Sequence, residues 1–331
     1  MIKFGVLGAA KITPRALVYP CLDEPKAFIS VVGARSRDRA AGFAVHHGIA
    51  TVVDDYASVI AHQSINSVYI PLPITGHHEW AIKALNAGKH VLCEKSFAAN
   101  TTEAREMAAV ADKTGLVLMD AFHYRYHPIF IRAKQIYDSG MLGVIREVNA
   151  AFHIPAAPDP DDIRMNYKTG GGVTMDIGCY PISWVRHITG SEAEEVKAVA
   201  EVGPPNVDLY LTTEMRFPGD IKVTTSGDMR SSAKFEASLV VTGDKGEMIV
   251  NNPLVPQMGN SLELIIDGES KIETFSRRPT YSYQLDAFIN AVENGGSLLT
   301  GPEDAVRQMK LIDRCYEAAG LPVRGDSSVM G

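Results

Sequence analysis

Cysteine, excess positive charge and long apolar runs are all scarce in this 331-residue chain, and each shortage excludes something. The four cysteines, Cys21, Cys93, Cys179 and Cys315, are scattered and form no CxxC pair. That excludes a disulfide framework or a ribbon-type zinc site and fits reduced thiols in the cytoplasm. No apolar stretch approaches the length of a membrane span. The opening MIKFGVLGAAKI also lacks the layout of a secretory leader. Lysine and arginine total 32 against 39 acidic residues, a net charge of −7, which argues against nucleic-acid or anionic-membrane partners. His123 and His127, His46-His47 and His77-His78 fall in pairs, and none completes the three or four convergent ligands that zinc requires, so no metal is expected. What is present is an ordinary globular composition, 46% hydrophobic and 21% charged, at a length that calls for two domains.

The first 120 residues alternate β-rich runs with helical stretches. Strands are predicted at 3–7, 28–34, 67–71, 90–94 and 116–120, with a weaker one at 51–53. Helices are predicted at 14–24, 37–47, 77–87 and 102–114, the first opened by Thr13 as N-cap and Pro14. This alternation predicts an α/β Rossmann domain, a parallel doubly wound sheet, over residues 1–121. Beyond it the period changes to two. Val144, Val148, Ala150, Phe152 and Ile154 share one strand face. Val207, Leu209, Leu211, Thr213, Met215 and Phe217 share another, opposite Asp208, Tyr210, Glu214 and Arg216 on a wet face. Turns at 218–220, 243–246 and 267–268 link further strands, and helices return at 283–293 and 302–319. Residues 122–331 therefore read as an α+β domain with an open, largely antiparallel sheet. Its last helix (302–319) is placed where it can pack back on the first domain. A sheet open on one face favours a homodimer or homotetramer.

Gly8-Ala9-Ala10-Lys11-Ile12-Thr13 lies between the first strand and the first helix, where backbone N–H groups and the helix dipole suit a pyrophosphate. The second and third glycines of the usual motif are replaced by Ala10 and Thr13. The second strand ends in Arg35-Ser36-Arg37, where an NAD enzyme places an acid for the ribose hydroxyls. Guanidinium groups there fit a 2′-phosphate instead, so NADP is expected rather than NAD.

Three clusters bear on chemistry: Glu94-Lys95-Ser96 after a strand, the Gly170-Gly171-Gly172 run, and Asp176 with Tyr180 four residues on. A tyrosine with a nearby lysine can exchange a proton with an alkoxide. Residue type alone equally allows a surface lysine, a packed tyrosine and a flexible turn. The stretch AGKHVLCEKS and the stretch DIRMNYKTGGGVTMDIGCYPI, with PLPITGHHEW ahead of both and MDAFHYRYHP between them, resemble the signature segments of the Gfo/Idh/MocA oxidoreductases. The likeness is nearest the branch holding dimeric dihydrodiol dehydrogenases, deoxysugar 3-ketoreductases and glucose–fructose oxidoreductase.

That resemblance implies hydride transfer between a nicotinamide and the carbonyl or alcohol of a sugar, ketosugar or related diol. It implies catalytic roles for Lys95 and Tyr180, with Asp176 orienting substrate. Pro71, Leu72, His77, Glu94, Lys95 and Arg164 match positions that line the cofactor. His123, Tyr124 and His153 are candidate substrate contacts, with packing as the competing explanation. Ser96 stands where the family carries proline, which implies a looser turn after Lys95. A redox-neutral enzyme with tightly bound cofactor, or a non-catalytic NADP(H) sensor, would carry the same Rossmann features.

Overall fold

The computed structural model describes residues 1–155, 159–326 and 328. The chain divides into two compact units, Met1–His123 with Tyr281–Val306, and Tyr124–Thr280 with Arg307–Gly331.

In the first unit, β1 (Ile2–Leu7), β2 (Ala27–Gly33), β3 (Thr51–Val53), β4 (Ser67–Ile70), β5 (His90–Cys93) and β6 (Leu118–Asp120) form one parallel sheet. Their order is β3-β2-β1-β4-β5-β6. The winding reverses between β1 and β4, and in such sheets ligands bind beyond the carboxyl ends of the strands at that reversal. The strands read as continuous apolar runs because both faces are covered; all four residues of β4 are buried. The connecting helices are α1 (Tyr19–Asp23), α2 (Arg37–His47), α3 (Tyr56–Ala61), α4 (His77–Asn86) and α5 (Thr101–Thr114). Only α3 escapes the periodicity argument, being too short to show it. A hydrogen bond from Ser58 N–H to the Asp55 carboxylate starts it, at 2.7 Å.

One expected signal is corrected. Thr13 is no N-cap, since its backbone is already helical (φ −51°, ψ −39°) and its side chain makes no cap bond. Residues Pro14–Val18 form a π turn that leads into α1. Helix α8 (Thr280–Asn294) also belongs to this unit from Tyr281 onward, and its Phe288 packs on Phe4 of β1, ring centroids 5.4 Å apart.

The second unit is built on an eight-stranded sheet. It comprises β7 (Ile145–His153), β8 (Glu195–Val202), β9 (Asp208–Phe217), β10 (Ile221–Asp228), β11 (Glu236–Gly243), β12 (Gly246–Asn251), β13 (Ser261–Ile266) and β14 (Glu269–Glu273). The order is β14-β13-β12-β11-β7-β10-β9-β8, and only the β7–β10 pair is parallel. The three expected turns join β9 to β10, β11 to β12 and β13 to β14. Helices α6 (Pro128–Asp138) and α7 (Cys179–Thr189) complete this part, and α9 (Pro302–Ala318) joins it from Arg307. Val148, Ala150 and Phe152 are buried, as expected, while Val144 is exposed ahead of the strand.

Asp208 departs from its expected place on the wet face: it is fully buried. The pairing of β8 with β9 slips between Glu201 and Val202, so that Val202 faces Asp208. Such a bulge reverses the parity of the residues beyond it. No helix among the described residues is long and apolar enough to cross a membrane.

Candidate active site

In the first unit the candidate residues gather at the carboxyl ends of β1, β2, β4 and β5. Gly8 donates its N–H to the Gly33 carbonyl at 2.7 Å and turns at φ +104°, a conformation that favours glycine. A Cβ built on it would lie 3.5 Å from Leu72 Cδ2 and 3.8 Å from the Tyr56 hydroxyl, so both groups border the turn. Ala9, Ala10 and Ile12 are partly exposed there and Lys11 is exposed. Thr13, in place of the third glycine, is accommodated fully buried, and its hydroxyl has no hydrogen-bond partner among the described residues. The positive-φ glycine leaves room for close approach at the first turn, and the buried Thr13 hydroxyl is left with hydrogen-bonding capacity; both fit a dinucleotide pyrophosphate.

Beside this turn, Ser36 caps α2 by accepting the Arg39 N–H at 3.4 Å. Arg35 is exposed and Arg37 pairs with Asp54. Arg39, which the sequence reading passed over, donates from Nη2 to the Ala9 carbonyl at 3.2 Å. Residues 35–39 are thereby joined directly to the Gly8 turn, with guanidinium groups available where a 2′-phosphate would sit.

Lys95 follows β5, and its neighbours are unusually well buried. Glu94 accepts a 2.6 Å hydrogen bond from the hydroxyl of Tyr69 in β4. Burial pushes the Glu94 carboxyl up, against the opposing Tyr69 bond and the Lys95 charge. The phenols of the buried Tyr69 and the half-buried Tyr281 are both raised, by desolvation first and then by the charge of Glu94. His123 is 2% exposed and its ring lies 4.0 Å from that of Tyr281. Burial, and then the positive charge of Lys95, push His123 down to about 3.

His77 links two loops: its ring nitrogens lie 2.9 Å from the carbonyls of Leu72 and of Ser96. Burial lowers its pKa and outweighs those two contacts, which favour the charged ring. Ser96 is accordingly not the loose substitute expected for proline. It is buried, joined to Lys95 by a cis peptide and held through its carbonyl by His77. Pro71, at the start of the Leu72 loop, is buried as well.

The second unit carries Asp176 and Tyr180 on one helical run, a π turn at Thr174–Gly178 continuing into α7. Single π turns recur at functional sites. Asp176 accepts from Arg164 Nε at 2.6 Å, and Arg164 also pairs with Asp162 at 3.1 Å. The Asp176 charge raises the Arg164 pKa further. Tyr180 sits in an aromatic shell, with ring centroids at 5.8 Å from Phe152, 6.2 Å from Tyr124 and 6.4 Å from Trp184. Tyr124 is itself fixed by a 2.7 Å hydrogen bond with the Ser183 hydroxyl.

His153 is not brought to this group. It follows Phe152 in β7 and so points to the opposite face of the sheet, where Ser226 Oγ lies 2.8 Å from its ring and Glu236 3.5 Å. Besides Arg39, Tyr69 and Tyr281 are the residues that sequence reasoning missed. A hydroxyl-bearing ring inside an apolar parallel strand was the available signal for Tyr69. No local pattern marked Tyr281, which lies 158 positions after His123 in the chain.

Known proteins resemble the chain along nearly all its length. Residues 2–122 match the model of an oxidoreductase family with an NAD-binding Rossmann fold, and residues 130–249 match the GFO/IDH/MocA C-terminal domain. D-xylose 1-dehydrogenase (NADP(+)) 2 of Haloferax volcanii is 30% identical over 322 residues, 96% of this chain and 97% of that one. The dTDP-3,4-didehydro-2,6-dideoxy-alpha-D-glucose 3-reductase of Actinomadura kijaniata is 30% identical over 320 residues, 94% of each. A crystal structure of a 3-ketoreductase from Actinomadura kijaniata with NADP and TDP-benzene superposes with a TM-score of 0.86 at 28% identity, over 96% of this chain and 97% of that one. With both halves matched in order and two relatives at this identity over nearly their full lengths, the chain belongs to the Gfo/Idh/MocA family of oxidoreductases.

Proposed function

We propose that the chain is an NADP(H)-dependent oxidoreductase that interconverts the carbonyl and alcohol of a sugar or ketosugar, with Lys95 and Tyr180 in proton transfer. The observation that carries the cofactor choice is the Arg35–Arg39 turn beside Gly8, which holds three guanidinium groups and no acid before Asp38. Relatives named for NADP(+) or solved with NADP support it. Gly8, Ala9, Ala10, Lys11 and Ile12 would hold the pyrophosphate. Arg35, Ser36, Arg37 and Arg39 would hold the 2′-phosphate, and Pro71, Leu72, His77 and Glu94 would line the nicotinamide end. Bound there, the nicotinamide would donate or accept hydride.

The chain's own residues supply the proton chemistry. Tyr180 donates its hydroxyl proton to the substrate oxygen in reduction and takes one back in oxidation, and the Lys95 ammonium favours the phenolate. Asp176, steadied by Arg164, accepts a hydrogen bond from a neighbouring sugar hydroxyl. His123 is 2% exposed and Tyr124 fully buried, so packing, the competing explanation, accounts for both; His153 leaves the reading too, because it points to the other sheet face. All four cysteines are thiols, as fits a cytoplasmic enzyme.

Fluorescence titration tests the cofactor assignment. NADPH is expected to bind about ten- to a hundredfold tighter than NADH, the worth of one or two charge-assisted hydrogen bonds. Arg37→Ala and Arg39→Ala should narrow that gap by weakening NADPH alone. Equal affinities, untouched by either change, would discard NADP. A panel of D-xylose, D-glucose, ketosugars and dihydrodiols with NADP(H) then identifies the substrate class.

The sheet face opposite α7 exposes Val199 and Ile272, and a second copy covering it would give a homodimer or homotetramer. Sedimentation is expected to return such a mass, and a monomer at micromolar concentration contradicts it.

A further inference from the structure

The second unit contains an ion pair that the proposed chemistry does not use. Arg324, in the segment after α9, and Asp208, at the start of β9, are both fully buried and meet at 2.6 Å. A buried pair adds little net stability over an apolar replacement, so its presence asks for another reason, such as fixing one conformation. The partners of the pair supply that reason. Arg324 Nε donates to the Gly171 carbonyl at 2.7 Å and Nη1 to the Pro322 carbonyl at 3.1 Å. The other Asp208 oxygen accepts the backbone N–H of Thr174 at 2.8 Å, where the helical run bearing Asp176 and Tyr180 begins.

Aromatic rings enclose the guanidinium, with Tyr316 at 4.1 Å and Tyr167 at 5.1 Å from its central carbon. Tyr316 donates to Asp208 at 3.2 Å, and the Tyr167 hydroxyl donates to the Val323 carbonyl at 2.5 Å. Gly172 lies between these groups at φ +126°. A Cβ on it would fall 2.0 Å from Asp208 Oδ1 and 2.6 Å from Arg324 Nη2. The last glycine of the GGG run thus has a local explanation: no side chain can stand between this backbone and the pair. Gly171 is held from the other side, its N–H bonded to the Asn166 carbonyl at 2.9 Å, and the Gly172 N–H reaches the Arg164 carbonyl at 2.9 Å.

We propose that Arg324 is a positioning residue: with Asp208 it clamps the Gly171-Gly172 turn and the start of the Tyr180 helix, setting where Asp176 and Tyr180 stand. The proposal rests on the role given to Tyr180 above. The clamp is a fork, one arm on a carboxylate and one on a carbonyl, which lysine reproduces only as a point charge. Misplacement of a reacting group by about an ångström costs on the order of a hundredfold in rate, so a loosened clamp acts on kcat.

The test uses the full chain loaded with NADPH, comparing Arg324→Ala, Arg324→Lys and Tyr180→Phe with the unaltered protein. Amide exchange over residues 172–180 is expected to rise at least about tenfold in Arg324→Ala, with the first unit unchanged. On whichever panel sugar is accepted, kcat should fall on the order of a hundredfold while KM and NADPH affinity stay within about threefold. Arg324→Lys should fall between, and it carries the test if the alanine variant does not fold. Guanidinium ion added to Arg324→Ala should restore part of the lost turnover, which general destabilisation would not permit.

Unchanged exchange over 172–180 in both variants overturns the clamp. Raised exchange with kcat retained overturns its positioning role. Full turnover in Tyr180→Phe overturns the proton-transfer assignment instead, and with it the catalytic purpose of the clamp.

Discussion

Lys95→Met is expected to lower turnover by about 10²–10⁴-fold, the range that a positioned proton-transfer group contributes, with NADPH affinity nearly unchanged. Methionine keeps the length and apolar stem of the side chain and removes only the ammonium. The loss should appear in kcat and in kcat/KM alike, as for an interaction made in the transition state. The same substitution has a second readout that needs no substrate. The Lys95 charge helps to hold His123 and His77 down and Glu94 down against burial. Removing it should therefore raise all three pKa values, with His123 the natural NMR reporter. Tyr180→Phe should match the kinetic loss without moving His123. If the two residues act as a unit, the double variant loses little more than the worse single one. Retention of turnover within about threefold in both variants would remove Lys95 and Tyr180 from the chemistry.

Most of the first unit was legible because a parallel sheet covered on both faces produces short apolar runs that nothing else in a soluble chain resembles. The second sheet was legible through its period of two, but Asp208 shows the limit of parity. One slipped pair between Glu201 and Val202 turns a predicted surface carboxylate into the most buried acid of its unit. His153 shows the same limit in reverse, since proximity to Phe152 along the strand means opposition across the sheet. Lys95, Asp176 and Tyr180 stood out only through the family-like segments around them. Tyr281 and Arg324 were invisible because what makes them matter is spatial. One lies on a helix beyond residue 280 and the other in the tail after α9, and each meets its partner more than 100 residues away in sequence.

Acid should destabilise the first unit well above the range where carboxylates protonate. His123, 2% exposed, is held at about 3 by burial and by the Lys95 charge, whereas in the unfolded chain it titrates near the ordinary 6.5. Between those values the unfolded chain binds a proton that the folded one refuses, so stability rises with pH. The contribution is therefore complete above about pH 6.5 and is lost as pH falls toward 3. The slope is about 1.4 kcal/mol per pH unit, or about 2 kcal/mol from His123 alone by pH 5. Against typical stabilities of about 5–15 kcal/mol that is a large share. His77 is lowered by the same burial and adds to the loss. Glu94 works the other way, because a carboxyl raised in the folded state takes up a proton on folding as the pH falls. Comparison with His123→Phe cancels that term, since phenylalanine keeps a ring against Tyr281 and cannot titrate. Urea unfolding at pH 7.5 and at pH 5.0 should show the unaltered protein losing about 2 kcal/mol more than the variant between the two conditions. Parallel losses in the two proteins would mean that His123 titrates normally in the fold. That outcome would contradict both its burial and the influence of the Lys95 charge, because an imidazolium formed there would be stripped of water and repelled by the Lys95 ammonium.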